Sequence, residues 1–136
     1  MKKKNLKVLV DMSATLIHNG HIEILRKANK FGDIYIALTT DNEILKKKGY
    51  LPELNFKQRS NVLRAIRFVK NIIPSKWNID DKFIKKNKID ILVHGNDNSN
   101  TALKVKKKIF KRTPNISSSK LRYKAYKNYL KIYEKK

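Results

Sequence analysis

Leu6-Lys7-Val8-Leu9-Val10-Asp11, followed after a short loop by His18-Asn19-Gly20-His21-Ile22-Glu23-Ile24-Leu25, is the stretch on which the fold turns. Leu6 to Val10 is short, apolar and β-branched, which reads as a buried strand. From about Gly20 to Lys30 the apolar positions Ile22, Leu25 and Ala28, with Ile24 beside them, follow helical spacing. Phe31-Gly32-Asp33 stops that helix, because glycine suits the position just past a helix end. Strand, loop and helix in this order form half of a parallel crossover unit.

Outward from this unit the alternation continues. Ile34 to Leu38 is a second strand closed by Thr39-Thr40-Asp41, and Asp41 is expected to cap a short helix ending in Lys46-Lys47-Lys48. Gly49 to Leu54, with Pro52, is loop. A longer helix begins at Asn55, with Val62, Ala65, Ile66 and Val69 as its core-facing stripe. Asn71-Ile72-Ile73 is a third strand ended by Pro74, Asp80 to Asn87 a helix, and Ile89 to Val93 a fourth strand. A polar loop, His94 to Asn98, leads to a weak helix near Leu103 and an edge strand at Ile109-Phe110. Ser117 opens a final helix with Leu121, Ala125, Tyr129 and Tyr133 spaced by four. The expected fold is α/β: a Rossmann-like open parallel sheet with helices on both faces, in a single domain spanning 1–136. Ligands of such sheets bind beyond the carboxyl ends of the strands, which directs attention to 11–21, 39–48 and 94–98.

Composition narrows the function classes. Thirty-three Lys and Arg against eleven Asp and Glu leave a formal charge of +22. The lysines are scattered, with no basic tail, so the charge reads as solvated surface and not as a specific nucleic-acid site. The absence of cysteine excludes disulfides and thiolate metal sites. No apolar run approaches the ~18–20 residues of a membrane span, and the basic start leads into no signal-peptide core. The expected location is the cytoplasm.

Two segments carry candidate chemistry. His18-Asn19-Gly20-His21 places two imidazoles around a glycine at a helix N-terminus, where free N–H groups and the helix dipole attract phosphate. Gly20 there would let a bulky anion approach the backbone. Arg112-Thr113-Pro114-Asn115-Ile116-Ser117-Ser118-Ser119 offers a guanidinium fork and serines at a second helix start; Ser117 also reads simply as an N-cap.

Together these segments resemble the cytidylyltransferases of the H-x-G-H nucleotidyltransferase superfamily, in its glycerol-3-phosphate and phosphonate-pathway branches. The resemblance runs over nearly the whole chain. Val10 to His21 looks like the phosphonate branch, and Phe56-Lys57-Gln58-Arg59 resembles the family's aromatic-x-Q/H-R. Val93-His94-Gly95-Asn96-Asp97 resembles its G-D-D-W loop, and Arg112 to Ser119 its R-T-x-G-I-S-T-T segment.

The resemblance implies transfer of CMP from CTP to a small phosphate- or phosphonate-bearing acceptor, with pyrophosphate released and Mg²⁺ arriving with the nucleotide. It assigns catalysis to His18, His21, Lys48 and Arg112, with Lys46 and Lys47 competing for the lysine's role. It lays Ser13, Ala14, Gly20, Asp97, Thr113, Ile116, Ser117, Ser118 and Ser119 along the nucleotide, and Lys48 and Arg67 along the acceptor. Arg59 has a supporting role, no protein metal cage is expected, and a homodimer is. Three departures stand out: Thr15 replaces the family's acid, Asn98 its tryptophan and Asn115 its glycine. Asn tolerates left-handed backbone, so the last change is mild. Thr15 leaves open altered loop or metal support, a slower enzyme, or lost activity. Two other readings remain: an ATP-dependent adenylyltransferase of the same fold, and a catalytically degenerate basic binding protein. The Tyr-rich end, Tyr123 to Tyr133, would pack on a partner or in the core.

Overall fold

Val8, Leu9 and Val10 are wholly buried because the first strand, β1 (Lys7–Met12), has neighbours on both edges and cover on both faces. A computed structural model describes residues 5–95 and 103–134. In chain order β1 is followed by α1 (Asn19–Ala28), β2 (Asp33–Thr39), α2 (Asp41–Lys48), α3 (Phe56–Arg64), β3 (Val69–Ser75), α4 (Asp81–Lys86), β4 (Ile91–Gly95), β5 (Lys106–Phe110) and α5 (Ser118–Tyr133). The sheet has the order β3-β2-β1-β4-β5, and every pairing is parallel. Strand order reverses at β1, between β2 on one side and β4 on the other. That switch point opens the crevice used by ligands of such sheets.

Alternation sorts the core onto two faces. Val8, Val10, Ile34, Ile36, Leu38 and Val93 pack with Leu25 and Ala28 of α1 and Leu63 of α3. Leu9, Ala37 and Leu92 pack on the other side with Ile84 of α4, Ile79 and Ile89. This is the single α/β unit with helices on both faces that the alternation of elements implies.

Several local expectations change. Asp41 does not cap α2. Thr40 holds that position, and the Asp41 carboxylate accepts from Phe56 N at 3.0 Å and from Arg59 Nη2 at 2.6 Å. The stripe expected on α3 also fails, since the helix ends at Arg64 and Val62 is exposed. Its buried face is Arg59, Ser60 and Leu63. Pro74 lies inside β3, which an edge strand tolerates because one side of its backbone needs no ladder partner. Residues 103–105 form no helix, and the remainder of that expectation lies outside the described residues. β5 is the opposite edge, and its Lys106-Lys107-Lys108 run suits a strand that must not pair with another chain. α5 buries no residue completely. Tyr123, Tyr126, Tyr129, Ile132 and Tyr133 are all more than half exposed, so the tyrosines are not core.

Arg59 is the largest fully buried side chain. Its Nε donates to Leu54 O at 3.1 Å, and Nη1 donates to Ser13 O at 2.6 Å and Thr39 O at 3.0 Å. With the Asp41 ion pair at 2.6 Å, one guanidinium ties the ends of β1 and β2 to α2 and the loop before α3. Replacing Arg59 with Met should cost about 3 kcal/mol or more, because three backbone carbonyls and a carboxylate lose a charged donor together. Urea unfolding measures this; a loss under about 1 kcal/mol would show that the network is dispensable. Arg59→Lys should recover less than half, since an ammonium cannot span four acceptors in the guanidinium plane.

Candidate active site

The turn after β1 delivers the first histidine as the N-cap of α1. His18 Nδ1 accepts from Gly20 N at 3.0 Å, and His21 Nδ1 accepts from His18 N at 3.1 Å. The two bonds form a reciprocal cap, a role usually filled by Ser or Thr with Glu or Gln. They also set the chemistry. A nitrogen that accepts a backbone N–H carries no proton, so each neutral ring bears its proton on Nε2. The rings lie 4.1 Å apart, centroid to centroid, tilted by 41°. Gly20 is required by this arrangement: a Cβ there would stand 2.7 Å from His18 Cε1. The close approach that the glycine permits is thus to the imidazole itself, where an incoming anion was expected.

Burial pushes the His21 pKa down to about 4, helped by His18 and by the positive charge of Arg112. His18 is lowered too, by burial first and then by Arg112. At neutral pH both rings are therefore uncharged Nε2–H donors.

One pocket at the carboxyl end of the sheet gathers most of the expected residues. Ser13, Ala14, His18, Gly20 and His21 line it from the β1–α1 side, and Lys48 from the end of α2. Arg112, Thr113, Ile116, Ser117, Ser118 and Ser119 close it from the segment leading into α5. Ser117 caps α5, accepting from Lys120 N at 3.1 Å. Ser118 instead ties the helix to the first loop: its Oγ donates to Leu16 O at 2.9 Å and accepts from Leu16 N at 3.2 Å. Asn115 stands at φ 65, a left-handed conformation that Asn tolerates. Ala14 adopts φ 47 while buried, so the turn is held by its surroundings and not by residue preference.

Arg67 is not in the pocket. It is exposed, lies over the Phe68 ring at 5.1 Å, and stands before β3, at the amino end of the strands. The acceptor contact expected of it is withdrawn. Asp97 lies outside the described residues, as does Asn98. The pocket also brings in residues that the sequence reading passed over: Asp11, Glu23, Lys27 and Lys111. Asp11 lies in the 11–21 segment to which the sheet topology points, but no role was assigned to it there. Thr15, in place of the acid, lines the pocket at 1 % exposure, and its Oγ1 finds no hydrogen-bond partner among the described residues.

The family model described as cytidylyltransferase-like covers residues 13–124. The chain belongs to the cytidylyltransferase-like family. A glycerol-3-phosphate cytidylyltransferase of Staphylococcus aureus is 38% identical over 119 residues, covering 82% of this chain and 88% of that protein. An FAD synthase of Pyrococcus abyssi is 32% identical over 78% of this chain and 73% of its own length. An ethanolamine-phosphate cytidylyltransferase of Dictyostelium discoideum is 33% identical over 70% of this chain, which is 27% of that protein. In fold, the chain matches a lipopolysaccharide core biosynthesis protein from Thermoplasma volcanium with a TM-score of 0.69 at 19% identity, over 81% of this chain and 99% of that one. The chain is accordingly a nucleotidyltransferase enzyme of this family. No helix among the described residues is long and apolar enough to cross a membrane.

The depressed imidazoles have a stability consequence. Below the usual histidine pKa of 6.5 the unfolded chain takes up a proton that folded His21 refuses until about pH 4. Stability should thus be flat above pH 7 and fall by up to about 3 kcal/mol between pH 6.5 and 4, a slope that should be clearly shallower in His21→Gln, where only the lowered His18 remains. Thermal unfolding of both proteins across that range tests it. Thr15→Asp, which adds a buried carboxylate to the same pocket, should raise the His21 pKa by at least one unit in an NMR titration; an unchanged value would separate position 15 from the histidines electrostatically.

Proposed function

We propose that the enzyme transfers a cytidylyl group from CTP to a small acceptor bearing a phosphate or phosphonate, releasing pyrophosphate. The observation that carries this reading is the pair of neutral Nε2–H imidazoles sharing one pocket with Arg112, Lys48 and the start of α5. An acceptor oxygen attacks the α-phosphorus in line, the bond to the β-bridging oxygen breaks, and its electron pair leaves on pyrophosphate. Nothing in the pocket needs to become covalently attached. The work is positioning and neutralisation of charge. His18 and His21 would donate to α-phosphate oxygens, Arg112 and the 117–119 N–H groups to the β- and γ-phosphates, and Lys48 between nucleotide and acceptor.

Mg²⁺ fits this site as a passenger of the nucleotide. Among the described residues no group of three His, Cys, Asp or Glu side chains gathers to hold a metal, whereas the pocket has scattered oxygen donors in Asp11 and the serines. Such a donor set suits an ion that keeps several waters and binds through phosphates, where it would add countercharge.

The acceptor has a finer signature. Cations outnumber carboxylates in the lining, where Lys27, Lys48, Lys111 and Arg112 face Glu23 and Asp11, and Asp11 enters from the end of the central strand β1. A carboxylate there suits an acceptor with an amine a short distance from its phosphate or phosphonate, as in phosphoethanolamine or 2-aminoethylphosphonate. Support for CTP comes from the names of the cytidylyltransferase relatives. The FAD synthase relatives support a second reading with ATP, since FAD contains an adenine nucleotide. The reading includes a homodimer, and what supports it is the uncovered aromatic face of α5.

Pyrophosphate release with CTP and with ATP, across glycerol 3-phosphate, phosphoethanolamine and 2-aminoethylphosphonate, tests the proposal. CTP with an amine-bearing acceptor should be fastest, and His18→Ala should lower turnover on the order of 10²-fold. Asp11→Asn should reduce kcat/KM for amine-bearing acceptors at least tenfold and leave glycerol 3-phosphate little changed. Equal losses on all acceptors would remove the amine assignment, and no release from either nucleotide would remove the transfer.

A further inference from the structure

Arg122 lies in the second turn of α5, outside the pocket lining, yet it makes the densest set of contacts on that helix. Its Nε and Nη2 donate to the two oxygens of Glu53 at 2.7 and 2.6 Å, a bidentate fork. Nη1 donates to Tyr50 Oη at 3.2 Å, and the guanidinium lies over the Tyr50 ring, 4.7 Å from its centroid. The Arg122 hydrogen bonds hold the Glu53 carboxyl below its usual range, and Glu53 raises Arg122 in turn. Fork and stack together favour arginine, because a lysine could lie over the ring but could not also make the bidentate fork.

The position of this contact is what matters. Tyr50 and Glu53 belong to the segment that leaves α2 directly after Lys48, through Gly49 in left-handed conformation at φ 81. α5 carries Ser117 to Ser119 at its start, and Ser118 pins that start to Leu16 on the opposite side. The first two turns of α5 thus bridge the histidine loop and the lysine segment, with the pocket between them. α5 buries no residue completely, so apolar packing alone holds it weakly.

We propose that the Arg122–Glu53–Tyr50 contact is a latch that sets the distance between Lys48 and the start of α5, and so governs how tightly the nucleotide phosphates are gripped. Both charged side chains keep access to water, at 28% and 48% exposure, which suits a contact that opens and closes. The residues are positioning residues: none of the three lines the pocket. The inference rests on the nucleotidyl-transfer reading and deepens it.

Two measurements keep the latch and that reading apart. In the nucleotide-free protein, hydrogen exchange of segments 49–54 and 117–121 should speed at least fivefold in Arg122→Gln and in Glu53→Gln, with β1 and β2 unchanged. With CTP, both variants should raise KM five- to tenfold while kcat stays within threefold. The charge-swapped double variant Glu53→Arg with Arg122→Glu should recover most of the KM, and Arg122→Lys should not. Unchanged exchange, or faster exchange with unchanged KM for CTP, would overturn the latch while leaving the transfer reading intact. A natural protein that releases pyrophosphate from neither CTP nor ATP would overturn both.

Discussion

The buried guanidinium of Arg59 is the constraint on which the pocket depends. A charge with no solvent exposure is tolerated only where its donors are answered, and here four hydrogen bonds do so, to Ser13 O, Thr39 O, Leu54 O and the Asp41 carboxylate. Two of those acceptors lie where β1 and β2 run out, so the arginine replaces the ladder where the strands stop pairing. The turn that carries Ala14 in left-handed conformation starts from an end held in this way, and the histidine cap follows a few residues later. Asp41 holds the other end of the arrangement, accepting from Arg59 through one oxygen and from Phe56 N through the other. The fold places the active-site loop by means of a side chain that takes no part in it.

Above that anchor, bulk charge and site charge have different origins. The formal +22 is spread over solvated lysines, whose mutual repulsion salt screens within about 10 Å. In the pocket the cationic groups among the described residues are four and belong to specific elements: Lys27 is in the last turn of α1, Lys48 ends α2, and Lys111 and Arg112 follow β5. The histidines are kept neutral because Arg112 stands near them and burial strips their hydration. Positive charge and neutral hydrogen bonding are thereby divided between different residues, and the imidazoles stay uncharged at neutral pH.

The sheet was legible because buried parallel strands write themselves as short apolar runs between helical patterns, and the histidine motif because it follows the first of them. What misled was periodicity wherever a polar residue did the packing. Val62, Ala65, Ile66 and Val69 have ideal helical spacing, but α3 turns Arg59, Ser60 and Leu63 inward, and the chain leaves the helix before Val69 enters β3. A buried arginine satisfied by backbone carbonyls leaves no hydrophobic signature. The tyrosines of α5 show the converse, an apolar spacing with no core beneath it. Asp11 stood in the segment to which the topology pointed, but a strand-ending aspartate is commonplace, and only the three-dimensional crevice distinguishes one that lines a site. Arg67 was assigned by motif, and the topology puts it at the other end of the sheet.

Thr15 and the neutral histidines are best understood as one feature. A carboxylate at position 15 would be almost fully enclosed, and it would persist ionised only beside a cation or an imidazolium. Here both imidazoles spend their Nδ1 atoms on backbone N–H groups, a role that protonation would abolish. The proton that an acid would attract has no place to sit without breaking the cap of α1. Threonine leaves a hydroxyl without a partner among the described residues, at a cost of about 1–3 kcal/mol, which is less than an uncompensated buried charge. The threonine therefore agrees with the electrostatics around it: the pocket's positive charge sits on arginine and lysine, and the histidines are left as neutral hydrogen-bond donors.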